Sequence, residues 1–120
     1  MDLLNRVSLI GNLVADPEVK ELGQDKAVAT LRLAVDQPTS GKKDGDASPP
    51  EPVYVDVEVW DRNAQNAGKF LSKGKPVLVE GRLKMDSWED KQSGQRRRKL
   101  LVRGERMRFL SLGEAKTAAA

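Results

Sequence analysis

At 120 residues and 13.2 kDa the chain has the size of one domain, large enough to bury a core without disulfide or metal support. It contains no histidine and no cysteine, which removes the commonest general base, thiolate chemistry and zinc-type ligand sets, and with them most enzyme readings. The net charge of +3 hides an asymmetry: residues 1–60 carry 6 Lys+Arg against 11 Asp+Glu (−5) and residues 61–120 carry 15 against 7 (+8), so the charge suited to a polyanionic partner sits in the second half.

The N-terminus MDLLNRVSLIGNLV has Asp2 ahead of its apolar residues and polar residues in every run, the pattern of neither a signal nor a transit peptide. No run approaches the roughly 20 apolar residues of a membrane helix, so no membrane partner is expected. Without cysteine the chain needs no oxidising compartment, and an intracellular, cytoplasmic location is the default expectation.

Residues 3–14 read as a first strand, ended by Gly11-Asn12 and Asp16-Pro17, with a short extended piece at 19–22 and a turn at 23–26. In AVATLRLAV (27–35) a second strand turns Ala29, Leu31, Leu33 and Val35 inward and Val28, Thr30, Arg32 and Ala34 outward. QPTSGKKDGDASPPEP (37–52) has the turn formers, four prolines and mixed charge of a long mobile finger. The third strand, VYVDVEVW (53–60), alternates valine with Tyr54, Asp56, Glu58 and Trp60. A short helix follows, capped by Asp61 or Asn63, with Ala64, Ala67 and Leu71 on one side and Gly74 as its left-handed stop.

A fourth strand runs from Pro76 to about Trp88, with Val77, Val79, Leu83 and Met85 on one parity and Glu80, Arg82, Lys84, Asp86 and Trp88 on the other. KQSGQ is a turn, a fifth strand covers about 95–103, RMRFLSL forms an alternating sixth segment, and the tail 112–120 is expected to be frayed. One helix between strands three and four of an all-β chain predicts a five-stranded Greek-key barrel, the order of the oligonucleotide-binding (OB) fold, spanning residues 1–111. A β-sandwich is the structural alternative, disfavoured by the placement of that helix.

Tyr54, Trp60 and Trp88 stand opposite the core parity, although the chain has only five aromatic residues. Outward rings on a curved sheet offer flat surfaces for unpaired bases; the competing reading is that they cover barrel ends or fill a subunit interface. Arg82 and Lys84 beside Trp88, and Arg96, Arg97, Arg98 and Lys99 at the next turn, would neutralise phosphates. In that run Arg97 and Lys99 share one strand face and Arg98 takes the other.

Asp56 and Glu58 count against a phosphate-binding face unless paired with Arg32, Arg82 or Lys84. As magnesium ligands they would need a third ligand or a general base, and none is indicated. GKFLSKGK has one residue too many between its glycines, and Pro76 where a phosphate loop needs Ser or Thr; KDGDASPPE loses calcium-loop spacing after Ser48. No cofactor and no catalytic residue is expected.

The order NRVSLIGNLVADPEV, ATLRLAV, variable loop, aromatic-led strand, AGKFLSKGKPVLVEGRLKMDSWED, SGQ and RMRFL resembles the bacterial single-stranded DNA-binding protein family over about residues 4–111. The resemblance implies an OB fold and non-catalytic, sequence-tolerant binding of single-stranded DNA in replication, repair and recombination. It also implies a homo-oligomer whose first strands pair between subunits, a homotetramer before a homodimer.

By the same resemblance Tyr54, Trp60 and Trp88 match the family's stacking positions, and Arg6, Arg62, Lys73 and Lys84 match basic positions that meet the DNA backbone. The family's tryptophan in the long loop has no counterpart here, although Lys42 and Lys43 remain to grip phosphate. Asp56 stands where the family is often basic. Most members of the family continue into an acidic, aromatic-tipped peptide that recruits replication enzymes; this chain stops at EAKTAAA, as a truncated chain or as a shorter variant, and in either case the resemblance does not extend to tail-mediated recruitment. With Arg32, Arg82 and Arg97, these residues form the expected DNA-binding set; the alternative is a scaffolding or primosomal-type OB protein that binds DNA weakly.

Overall fold

The computed structural model describes residues 3–38 and 50–110. Most of the proline-rich loop, with Lys42 and Lys43, and the C-terminal tail lie outside the described residues. Seven elements follow in chain order: β1 (Val7–Leu13), β2 (Glu18–Gly23), β3 (Lys26–Val35), β4 (Val53–Trp60), α1 (Arg62–Phe70), β5 (Pro76–Glu89) and β6 (Arg96–Phe109). The strands form one sheet in the order β1-β5-β6-β4-β3-β2, and β1 also reaches β3 through Asn12–Ala34 and Leu13–Leu33, which closes the sheet into a barrel. Every pairing is antiparallel except the short parallel contact of β4 with β6. This is the expected OB arrangement, with its helix between the two valine-rich strands β4 and β5.

Two elements differ from the sequence reading. The extended piece at 19–22 is a full strand, β2, hydrogen-bonded to β3 while all its residues stay exposed; no burial pattern marks it because backbone pairing alone makes it a strand. The expected fifth and sixth segments are one continuous strand, β6.

A bulge in β6 explains why it read as two pieces. Glu80 pairs with Arg106 and Gly81 with Gly104, so Glu105 is the extra residue and the inward parity passes from Val102 and Gly104 to Met107 and Phe109. The two strands approach so closely here that a Cβ on Gly81 would lie 1.9 Å from the Arg103 carbonyl oxygen.

The inward parities meet as expected in the barrel. Leu31 and Leu33 of β3, Val57 and Val59 of β4, and Val77 and Val79 of β5 are fully buried, each side chain contributing roughly 1.5–3 kcal/mol of transfer free energy. Ala64, Ala67 and Leu71 bring α1 into the same core. Val53, Leu83 and Met85 share the inward parity but stay exposed, because β4 and the β5–β6 hairpin run beyond the core.

The helix ends are made differently from the expectation. Asp61 takes φ +52° and its side chain caps nothing; its carboxylate accepts the Ala27 N–H (3.3 Å) and its own N–H donates to the Ala27 carbonyl (2.7 Å), so the turn after Trp60 is locked to β3. Asn63 lies inside the helix and donates through Nδ2 to the Glu105 carbonyl. The helix stops at Leu71, which is extended, while Gly74 (φ +91°) sits in the following turn and donates its N–H to the Leu13 carbonyl.

Candidate nucleic-acid interface

The outward residues of β3, β4, β6 and β5 form one face. Register places Arg32 opposite Asp56 and Thr30 opposite Glu58, Glu58 opposite Arg103, Arg103 opposite Arg82, Leu101 opposite Lys84 and Arg97 opposite Trp88. The rings of β4 and β5 are therefore separated by the cationic strand β6, and a shallow depression of about 260 Å³ runs from Trp88 and Lys99 across Leu101 to Asp56 and Glu58.

Tyr54 is 54% exposed, Trp88 46% exposed and Trp60 half-buried. Both rings of β4 carry a guanidinium on one side: Arg32 lies 5.5 Å from the Tyr54 centroid and Arg103 5.1 Å from that of Trp60, distances at which cation and π-face attract. The Trp60 indole N–H also donates to Glu58 Oε1 at 2.8 Å, which fixes the ring in its plane.

The two carboxylates on this face are neutralised from neighbouring strands. Arg32 Nη1 donates to Asp56 Oδ1 (3.0 Å) and Lys99 bonds Asp56 Oδ2, so β3 and β6 each supply one cation and both oxygens are used. Lys84 Nζ donates to Glu58 Oε1 at 3.1 Å and also faces Asp86 at 3.7 Å. Burial pushes both carboxyls up, but the hydrogen bonds and charge of Lys99 and Arg32 on Asp56 outweigh it. On Glu58 the Trp60 and Lys84 hydrogen bonds and the nearby cations do the same, so both lie below their ordinary values. At the hairpin turn Asp90 is lowered by the Gln92 backbone N–H and by Arg97, whose Nε lies 3.1 Å away.

The expected site residues divide accordingly. Tyr54, Trp60, Trp88, Arg32, Arg82, Lys84 and Arg97 share the face. Arg6, just before β1, joins its border, since it and Arg82 both meet the bulge residue Glu105, at 4.0 and 3.6 Å. Arg62 is the exposed first residue of α1 and Lys73 stands in the turn after it, its backbone N–H bonded to Asp16, so neither is on the sheet face. Arg82 is not a partner of the two carboxylates; Lys99 takes that role. Arg103 was missing from the expected set, although the alternation of Arg97 and Lys99 continued two steps reaches it. Among the described residues no group of three or more acidic residues could hold a metal ion.

Comparison with known proteins places this geometry in context. The model of the Single-strand binding protein family matches residues 4–110. A single-stranded DNA-binding protein of Helicobacter hepaticus is 37% identical over 108 residues, covering 90% of this chain and 62% of that protein. That of Wolinella succinogenes is 38% identical over 108 residues, covering 90% and 65%. Single-stranded DNA-binding protein 1 of Synechocystis sp. is 39% identical over 100 residues, covering 83% and 78%. The chain thus spans less than two thirds of the length of the first two relatives.

Proposed function

The chain belongs to the single-strand binding protein family, and from that premise we propose that it binds single-stranded DNA without catalysis and with little regard to sequence, serving replication, repair and recombination. The observation that carries the reading is the grouping of Tyr54, Trp60 and Trp88 on one outward sheet face with Arg32, Lys84, Arg97, Lys99 and Arg103 beside them. Bases stack on the ring faces that the guanidiniums leave open, and phosphates are met by cations of β3, β5 and β6. Arg6 and Arg82 extend the path along the Glu105 border, Arg62 and Lys73 are outlying backbone contacts, and Lys42 and Lys43 add phosphate contacts. Stacking is nearly indifferent to base identity, which makes the binding sequence-tolerant. The scaffolding alternative rested on Asp56 and Glu58, and both are ion-paired instead of presenting bare negative charge to a strand.

The same reading includes a homo-oligomer, a homotetramer before a homodimer. Among the described residues β1 is hydrogen-bonded to β5 along Val7–Asn12 but reaches β3 only at Asn12 and Leu13, and the rest of its second edge pairs with no strand among them, which supports pairing with another subunit. Leu3 and Leu4 beside it are 89% and 86% exposed, and Ile10 is 39% exposed.

Titration with a thymine homopolymer tests the function: tryptophan fluorescence falls strongly on binding, and the affinity drops as salt rises. Unchanged fluorescence at low salt refutes it. Mass measurement in solution, with and without the oligonucleotide, tests the oligomer.

A further inference from the structure

Two carboxylates lie at the centre of a face assigned to a polyanion, and their surroundings differ from those of ordinary surface acids. The side chains of Asp56 and Glu58 are only 11% and 16% exposed, whereas those of the partners Arg32 and Lys99 are 52% and 49% exposed and that of Lys84 33%. The anions are held down in the sheet and the cations stand over them, with the Arg32 guanidinium also against Tyr54. A phosphate arriving from solvent meets the cation first, and the carboxylate stays within a few ångströms underneath.

We propose that Asp56 and Glu58 are built-in counter-anions of the binding face: they hold Arg32, Lys99 and Lys84 in place of phosphate and reduce the number of salt ions that strand binding releases. The inference rests on the proposed DNA binding and adds how that binding is tuned. A strand expels its condensed counterions only where the protein brings net positive charge. A cation whose carboxylate partner remains beside it brings almost none, so each such pair contributes contact and orientation with little counterion release. The face is thereby made less dependent on salt than its number of lysines and arginines implies.

The test is the slope of log affinity against log salt for a thymine homopolymer, measured for the parent, Asp56→Asn, Glu58→Gln and, as a control for net charge, Glu21→Gln on the exposed strand β2. Each net positive charge uncovered steepens the slope by about 0.7; Arg32 and Lys99 share the single charge of Asp56, so Asp56→Asn uncovers one and steepens it by about 0.7. Its gain in affinity is then roughly 3-fold larger at about 50 mM salt than at about 200 mM. Glu58→Gln steepens it by less than about 0.7, because Lys84 keeps Asp86. Glu21→Gln leaves the slope unchanged.

Parallel slopes for parent and Asp56→Asn, with equal or weaker binding, overturn the proposal. A parent that does not bind the homopolymer overturns the functional reading as well, which separates the two failures. Lys84→Gln gives an independent reading should Asp56→Asn fold poorly: Lys84 meets both Glu58 and Asp86, so its removal flattens the slope by much less than about 0.7, and a full loss of that size overturns the proposal.

Discussion

The two faces of β4 divide its eight residues between opposite purposes. Inward, Val57 and Val59 are fully buried among Leu31, Leu33, Val77 and Val79 and contact nothing polar that needs a partner. Outward, Tyr54, Asp56, Glu58 and Trp60 are fixed by ion pairs, by the Trp60 N–H on Glu58 and by guanidiniums over two rings. The inner face gains its stability from area removed from water, which is non-directional. The outer face gains orientation from directional contacts that solvent and salt weaken. Stability and binding are therefore separable by substitution, and each prediction below tests that separation.

The largest effect is expected inside. Leu31→Ala should cost about 2–5 kcal/mol of unfolding free energy, read by urea or thermal denaturation, with DNA affinity preserved wherever the protein is still folded. A weakened affinity in the folded variant would break the comparison. Next, Gly81→Ala should cost about 1–3 kcal/mol or more, since its methyl must displace the Arg103 carbonyl beside the bulge. Because that shift also moves Arg103, some loss of binding should accompany it, making Gly81 the position where the two faces are coupled.

On the outer face, Trp60→Ala and Trp88→Ala should each weaken homopolymer binding by roughly 1–3 kcal/mol, the general figure for aromatic platforms in folds of this kind. The Trp88 variant should leave the melting temperature nearly unchanged, whereas the half-buried Trp60 should lower it slightly. Comparable losses of stability and binding in both variants would mark the rings as packing residues.

The smallest effect concerns acid. Asp56 and Glu58 lie below their ordinary values of 3.8 and 4.5. A carboxyl depressed in the folded state contributes stability that is complete above its unfolded value and is lost as pH falls through the folded one. Stability should therefore decline from about pH 5 downward, and Asp56→Asn with Glu58→Gln should flatten that limb. Identical acid limbs for parent and double variant would mean that the pairs add nothing to the fold.

How much was readable beforehand varies with the range of the interaction. The face of each β3, β4 and β5 residue followed from alternation, and so did the grouping of Tyr54 with Trp60 and of Lys84 with Trp88. The all-exposed β2 carried no such signal, because an edge strand held by backbone pairing leaves no mark on side-chain choice. Asp61 looked like a helix cap and ties α1's start to β3 instead, since Ala27, far away in sequence, offers its carboxylate a partner.

The period of two that sets inside from outside is a property of each strand alone, and the sequence by itself therefore determined the valine core and the outward rings, while the single helix between the third and fourth predicted strands marked the barrel class. Which strands lie side by side was decided only by the tertiary structure. The insertion of β6 between β4 and β5 assigned Lys99 to Asp56 and set Arg103 over Trp60, and the Glu105 bulge shifted the strand's parity so that Met107 packs against the core. Neighbours across a sheet are chosen by closure of the whole barrel, and no local spacing records that choice.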